Sequence, residues 1–269
     1  MATDQASAST LPLETRFSRT APGQLWQVPV FLLGLAAVTG VWAGRPYWHD
    51  AEARQLDRDL EEVRWALDER RPNLDAILSR AERALEHINR SPARAGEAHF
   101  LLGSCFAQRA AGGAGEQSIH AWQQARLHLE EAERLGVPSS DLPKLSFRLG
   151  TAYAHLNVNT EKAIAYLRRS DEGGPDEAAD RYALLAEACL KLPTPDVQAA
   201  LDYTQKQLAL PAADDALLAP ARLRCGELLL RLQRRDEAHQ VLARIKPGAP
   251  PSIVFRAQYL QAKSYQEEG

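Results

Sequence analysis

Small residues recur along this chain at a spacing that points to stacked pairs of helices. Ala125, Ala163, Ala200 and Ala238 are separated by 38, 37 and 38 residues. A second series, Gly103, Gly150, Ala186, Gly226 and Ala262, runs in step with the first, and a proline closes each period at Pro138, Pro175, Pro211 and Pro250. Between the prolines lie helical segments of about 12–20 residues, with no convincing strand alternation after Pro46. Two antiparallel helices approach closely only where one presents little side chain, so each crossing needs a Gly or Ala, and large flanking residues fill the groove. The proline cannot continue a helix, so it ends one pair and opens the next. The pattern therefore predicts an all-α chain built from a repeated helix pair.

The spacing resembles the tetratricopeptide repeat (TPR), in which a Leu-Gly pair is followed three residues later by an aromatic. A second helix then carries Ala-x3-Phe-x2-Ala before a proline. The best match is Cys225-Gly226, Leu229, Ala238, Leu242, Ile245 and Pro250. Before it stand Leu185-Ala186, Cys189, Ala200, Thr204, Gln207 and Pro211, with a few inserted residues around Pro193-Thr194-Pro195. Earlier come Leu149-Gly150, Tyr153, Ala163, Leu167, Ser170 and Pro175. The most distorted unit has Leu102-Gly103, Phe106, Ala125, Leu129, Ala132 and Pro138, with Ala110–Ser118 expected as an enlarged turn.

The resemblance implies a right-handed α-solenoid of stacked antiparallel helix pairs, with four repeats over residues 93–252. Residues 50–92 read as a degenerate leading pair, Leu60, Val63 and Leu67 facing Ile77, Leu78, Ala81 and Leu85. Residues 253–269 read as the first helix of a further, incomplete repeat with Ala262 and Tyr265 as its landmarks. Either that helix caps the stack or the chain continues past Gly269, and continuation is the favoured expectation because a solenoid needs a polar terminal cap.

Ahead of the repeats, no charged residue occurs from Thr20 to Gly44, and Val28–Gly44 is almost wholly apolar. A helix needs roughly 20 mostly apolar residues to cross the hydrocarbon of a bilayer. Trp26 at one end and Trp42, Tyr47 and Trp48 at the other suit the headgroup region. A single transmembrane helix is expected over residues 25–45, preceded by a flexible tail at 1–24. The alternative is a cleaved signal peptide, for which Val41-Trp42-Ala43 offers a small-residue site. Arg16 and Arg19 before the span against Arg45, Arg54 and Arg58 after it lean only slightly towards a cytoplasmic repeat domain, and the side stays open.

Chemistry is sparse. With 32 Lys+Arg against 35 Asp+Glu the formal charge is −3, which excludes a strongly basic nucleic-acid binder. The three cysteines cannot form a disulfide framework, and Cys105, Cys189 and Cys225 fall beside packing landmarks, as small buried side chains do. The seven histidines show no metal-ligand spacing, although His120 and His128 are two helical turns apart. Gly112-Gly113-Ala114-Gly115 lacks the preceding strand and following Lys-Ser/Thr of a phosphate loop, and reads as a flexible hairpin. No catalytic residue, cofactor or metal is expected.

The resemblance further implies a binding groove lined by the first helix of each pair. Carried across position by position, its lining is Phe100 and Ser104, Phe147 and Thr151, Ala183 and Glu187, Leu223 and Glu227, and Tyr259 and Lys263. Family members that clamp the acidic C-termini of chaperones carry Lys and Asn there, and this chain does not. Apolar residues at one end and two carboxylates further along predict a peptide partner with a basic residue. The function expected is a membrane-anchored scaffold for protein–protein interaction. The alternatives are an exported soluble repeat protein and the regulatory front of a larger enzyme.

Overall fold

The structure, a computed structural model, describes residues 51, 53–69, 73–88, 91–170, 175–211 and 215–266. The expected tail at 1–24 and span at 25–45 lie outside the described residues. No helix among the described residues is long and apolar enough to cross a membrane.

Helices follow one another along the described chain, and no strand occurs among the described residues. They are α1 (residues 53–67), α2 (Leu74–Glu86), α3 (Ala95–Gly112), α4 (Gly115–Leu135), α5 (Leu142–Leu156) and α6 (Thr160–Arg169). After them come α7 (Pro175–Leu190), α8 (Val197–Ala209), α9 (Ala219–Arg231), α10 (Arg235–Leu242) and α11 (Pro251–Gln266). Each first helix packs on its own second helix, α3 on α4, α5 on α6, α7 on α8 and α9 on α10, and each second helix then packs on the next first helix. First helices also touch directly, α3 against α5, α5 against α7 and α9 against α11.

The small-residue series sits at the crossings. Ala125, Ala163, Ala200 and Ala238 are wholly buried. A Cβ on Gly103 would stand 2.8 Å from Leu129 Cγ, one on Gly150 2.6 Å from Leu167 Cγ, and one on Gly226 2.5 Å from Leu242 Cδ2. The glycine thus makes room for a leucine of the partner helix. In the third unit the same two positions hold Ala186 and Thr204, both wholly buried, so volume added to the first helix is removed from the second. Thr204 satisfies its hydroxyl by donating to the Ala200 carbonyl at 2.8 Å.

In α1 and α2, Leu60, Val63, Leu67, Ile77, Leu78 and Ala81 are buried, and Leu85 packs against the same core. Asn73, Asn159 and Asp196 cap α2, α6 and α8, each side chain accepting the backbone N–H three residues further on.

Two expectations are corrected. The insertion at Ala110–Ser118 is not an enlarged turn: α3 runs to Gly112 and α4 begins at Gly115, leaving only Gly113 and Ala114 between them. The extra residues lengthen both helices, because continuing a helix satisfies backbone groups that a loop leaves open. The Ser118 hydroxyl closes the junction on the Ala110 carbonyl at 2.8 Å. In α11, Ala262 is exposed and so is not a crossing landmark, while Tyr265, also largely exposed, lays its ring against His239 of α10 at 4.3 Å between centroids. This helix lies on its neighbours through Ala257 and Ser264, and the face that would receive a second helix has none among the described residues.

Candidate functional site

The first helices of three successive units, α3, α5 and α7, border an open cavity of about 470 Å³. Ser104, Ala107, Gln108 and Ala111 come from α3. Phe147, Arg148, Thr151 and His155 come from α5, and Glu177, Asp180, Ala183 and Leu184 from α7. Trp122 of α4 completes the lining, its indole stacked on the His155 ring at 4.6 Å between centroids. Residues three and four apart share a helix face, so a wall of i, i+4 residues arises from each first helix without special turns.

Of the positions expected to line a groove, Ser104, Phe147, Thr151 and Ala183 meet at this cavity. The Ser104 and Thr151 hydroxyls turn back on their own helices, donating to the Phe100 and Phe147 carbonyls at 2.6 and 2.8 Å. Phe100 does not line it: the ring is buried in the core beneath the Arg148 guanidinium, 5.4 Å from its centroid.

The remaining positions lie elsewhere. Leu223 is half-buried on α9 outside the cavity. Glu227 and Lys263 line a second, smaller hollow of about 290 Å³ between α9 and α11, and Tyr259 is exposed beside Arg256. The expectation of two available carboxylates is corrected by their partners. Glu187 accepts from Arg224 Nη2 at 3.0 Å and Glu227 from Arg256 Nε at 3.0 Å. Both acids tie one unit to the next, because a long arginine on the following first helix reaches them.

The sequence reading missed Arg148, Trp122, His155, Gln108 and Glu177. Arg148 had a signal: it stands two residues before Gly150, as Arg224 stands two before Gly226. Burial draws its guanidinium down from the usual value, against the field of Glu177. Gln108 donates to the Leu67 carbonyl at 3.1 Å, while its Oε1 is buried with no hydrogen-bond partner.

His128 pairs with His99 rather than with His120. Their Nδ1 atoms are 3.1 Å apart, and His120 is exposed. The cysteine thiols are buried and free, and burial pushes that of Cys105 up to about 12. Among the described residues no three His, Cys, Asp or Glu side chains are placed to hold a metal ion.

No protein-family model matches the chain. No curated protein matches it either. Among solved structures, the crystal structure of YrrB, described as a TPR protein with an unusual peptide-binding site, is similar over 69% of this chain and 84% of that one. The TM-score is 0.50 and the sequence identity 19%. The fold is TPR-like. At that identity the likeness concerns the stacking of helix pairs, which the Gly–Leu crossings already require, and not the residues of the site.

Proposed function

We propose that this chain is a membrane-anchored scaffold, non-catalytic in these residues, that binds an extended segment of a partner protein in the cavity between α3, α5 and α7. The observation that carries this reading is the convergence of Phe147, Thr151, Ser104 and Ala183 from three units on one concave site. The site joins apolar walls to a few polar groups, the make-up of a ligand pocket. YrrB, similar in fold, has a peptide-binding site in its description, which supports a peptide as the ligand class. A right-handed winding of the repeats would set the first helices side by side along that site. The uncharged run at residues 20–44 supports the anchor, with 25–45 as the span.

Proximity labelling from the repeat domain in intact cells, with recovered partners tested against the purified full chain, examines the binding reading. Phe147→Ala is expected to weaken capture at least about tenfold, since truncating a central aromatic anchor commonly costs 2 kcal/mol or more, roughly thirtyfold. Capture indifferent to Phe147→Ala would overturn the site. Alkaline extraction tests the anchor: the chain is expected in the membrane pellet, and complete release would overturn it.

A further inference from the structure

Two acids of α7, Glu177 and Asp180, stand three residues apart, which sets them on one face of the helix, and both line the cavity of about 470 Å³. The guanidinium of the lining, Arg148 on α5, lies over the Phe100 ring and already stands in the fields of Glu177, Asp68 and Asp141. Burial draws the His155 pKa below its usual value, so that ring adds no charge at neutral pH. The wall therefore carries more negative than positive charge. From α3 comes an acceptor that lacks a donor. Gln108 gives its amide N–H to the Leu67 carbonyl at 3.1 Å, and because a carbonyl only accepts, this bond fixes which end of the amide is oxygen. That oxygen, Oε1, is buried with no hydrogen-bond partner among the described residues.

Two carboxylates, an unsatisfied amide oxygen and apolar walls together call for a group that donates hydrogen bonds and carries positive charge. An arginine side chain is that group: its guanidinium has five N–H donors and no acceptor, pairs with carboxylates through parallel hydrogen bonds and stacks on aromatic faces. We propose that the cavity takes the side chain of an arginine in the partner segment, its guanidinium held by Glu177 and Asp180 and donating to Gln108 Oε1. The proposal rests on the groove reading above and names its ligand chemistry. Phe147, Ala107 and Leu184 line the same space and cover the apolar stem of that arginine. The sequence placed a basic partner residue against Glu187 and Glu227, which Arg224 and Arg256 already hold. The cavity moves it to Glu177 and Asp180, neither of which is among the positions that the TPR resemblance assigns to a groove.

The test uses the full chain in mild detergent and four acetylated, amidated octapeptide libraries. They are identical except for a central arginine, lysine, citrulline (the neutral isostere of arginine) or glutamate. Retention on the immobilised protein is read by mass spectrometry. The arginine library is expected to be retained at least about tenfold more than the citrulline library, the effect of one charge-assisted bidentate contact, with lysine between them and glutamate least. Glu177→Gln is expected to abolish the preference for arginine over citrulline while the chain stays folded by circular dichroism. Asp180→Asn, on an exposed position, is expected to reduce it at least about threefold, and it decides the matter should Glu177→Gln not fold: an unchanged preference would overturn the proposal. Glu161→Gln removes an exposed acid outside the cavity and is expected to change nothing. A loss there equal to that in Glu177→Gln would trace the preference to the charge of the whole chain and overturn the proposal. Equal retention of arginine and citrulline libraries, still lost in Phe147→Ala, would overturn it and leave the groove reading standing. Retention of lysine at or above arginine would overturn the guanidinium, and a glutamate preference the sign of the charge. No retention of any library would overturn both readings.

Discussion

Arg64 on α1 grips the Asp141 carboxylate with both ends of its guanidinium, Nη1 to Oδ1 at 3.0 Å and Nη2 to Oδ2 at 2.9 Å, across 77 residues of sequence. The same Nη2 donates to Glu97 at 2.6 Å. Asp141 and Glu97 are buried, and the hydrogen bonding of the guanidinium to Asp141 is the main reason Arg64 is held above its usual value. One side chain thus ties the degenerate leading pair to the start of the first and second repeats.

Arg64→Gln should therefore destabilise the repeat domain by about 2–3 kcal/mol. This is below the 3–5 kcal/mol typical of breaking a fully buried pair, because Arg64 itself is about one third exposed. Urea unfolding checks it, and a loss under about 0.5 kcal/mol, the scale of an ordinary surface change, would show the clamp to be idle.

The crossings make a prediction about volume. Gly150→Ala sets a Cβ 2.6 Å from Leu167 Cγ and 2.9 Å from the Leu167 backbone nitrogen. It should cost about 1–3 kcal/mol despite the better helix propensity of alanine. The third unit already carries the compensated arrangement, Ala186 with Thr204. Adding Leu167→Thr to Gly150→Ala should therefore cost less than the sum of the two single changes, by about 1 kcal/mol in a double-mutant cycle.

The His99–His128 pair gives the repeat domain an acid limit. Burial lowers both pKa values, His99 and His128 alike, and the proximity of the two rings adds to the effect at His128. A base with a depressed folded-state pKa binds fewer protons folded than unfolded. Its contribution is complete above the unfolded value of about 6.5 and is lost as pH falls below it. Melting temperature should drop as pH is taken from about 7 to 5. In His128→Phe that drop should be smaller, and an unchanged slope would remove the pair from the account.

The thiols offer a simpler check. Burial raises Cys105, Cys189 and Cys225 above the usual thiol value. Iodoacetamide at about pH 8 should leave the native chain unlabelled over a time in which the urea-unfolded chain takes three adducts by intact mass. A native thiol that labels as fast as a free one would contradict its placement at a crossing.

The repeat was legible because each landmark answers to its own partner helix. Gly103, Gly150 and Gly226 are small for the sake of Leu129, Leu167 and Leu242, and both members of each pair recur within one period of the sequence. Gly96 was not legible: a Cβ there would run into the Gly136 carbonyl oxygen, a contact with a loop outside the helix-pair crossings. The site was only half legible. Phe147 and Thr151 follow from helix periodicity, but Phe100, one period earlier in the same register, is buried under Arg148.

From its amino acids alone, the chain determines its helix pairs, their period and the faces on which they meet, because those depend on local periodicity and on the size of one residue per crossing. Which charges are spent and which are left over was decided only by tertiary structure. Glu187 and Glu227 are paired with Arg224 and Arg256, while Arg148 lies over the Phe100 ring at the border of the cavity. Ion pairing depends on reach between side chains of neighbouring units, which no local pattern in the sequence records.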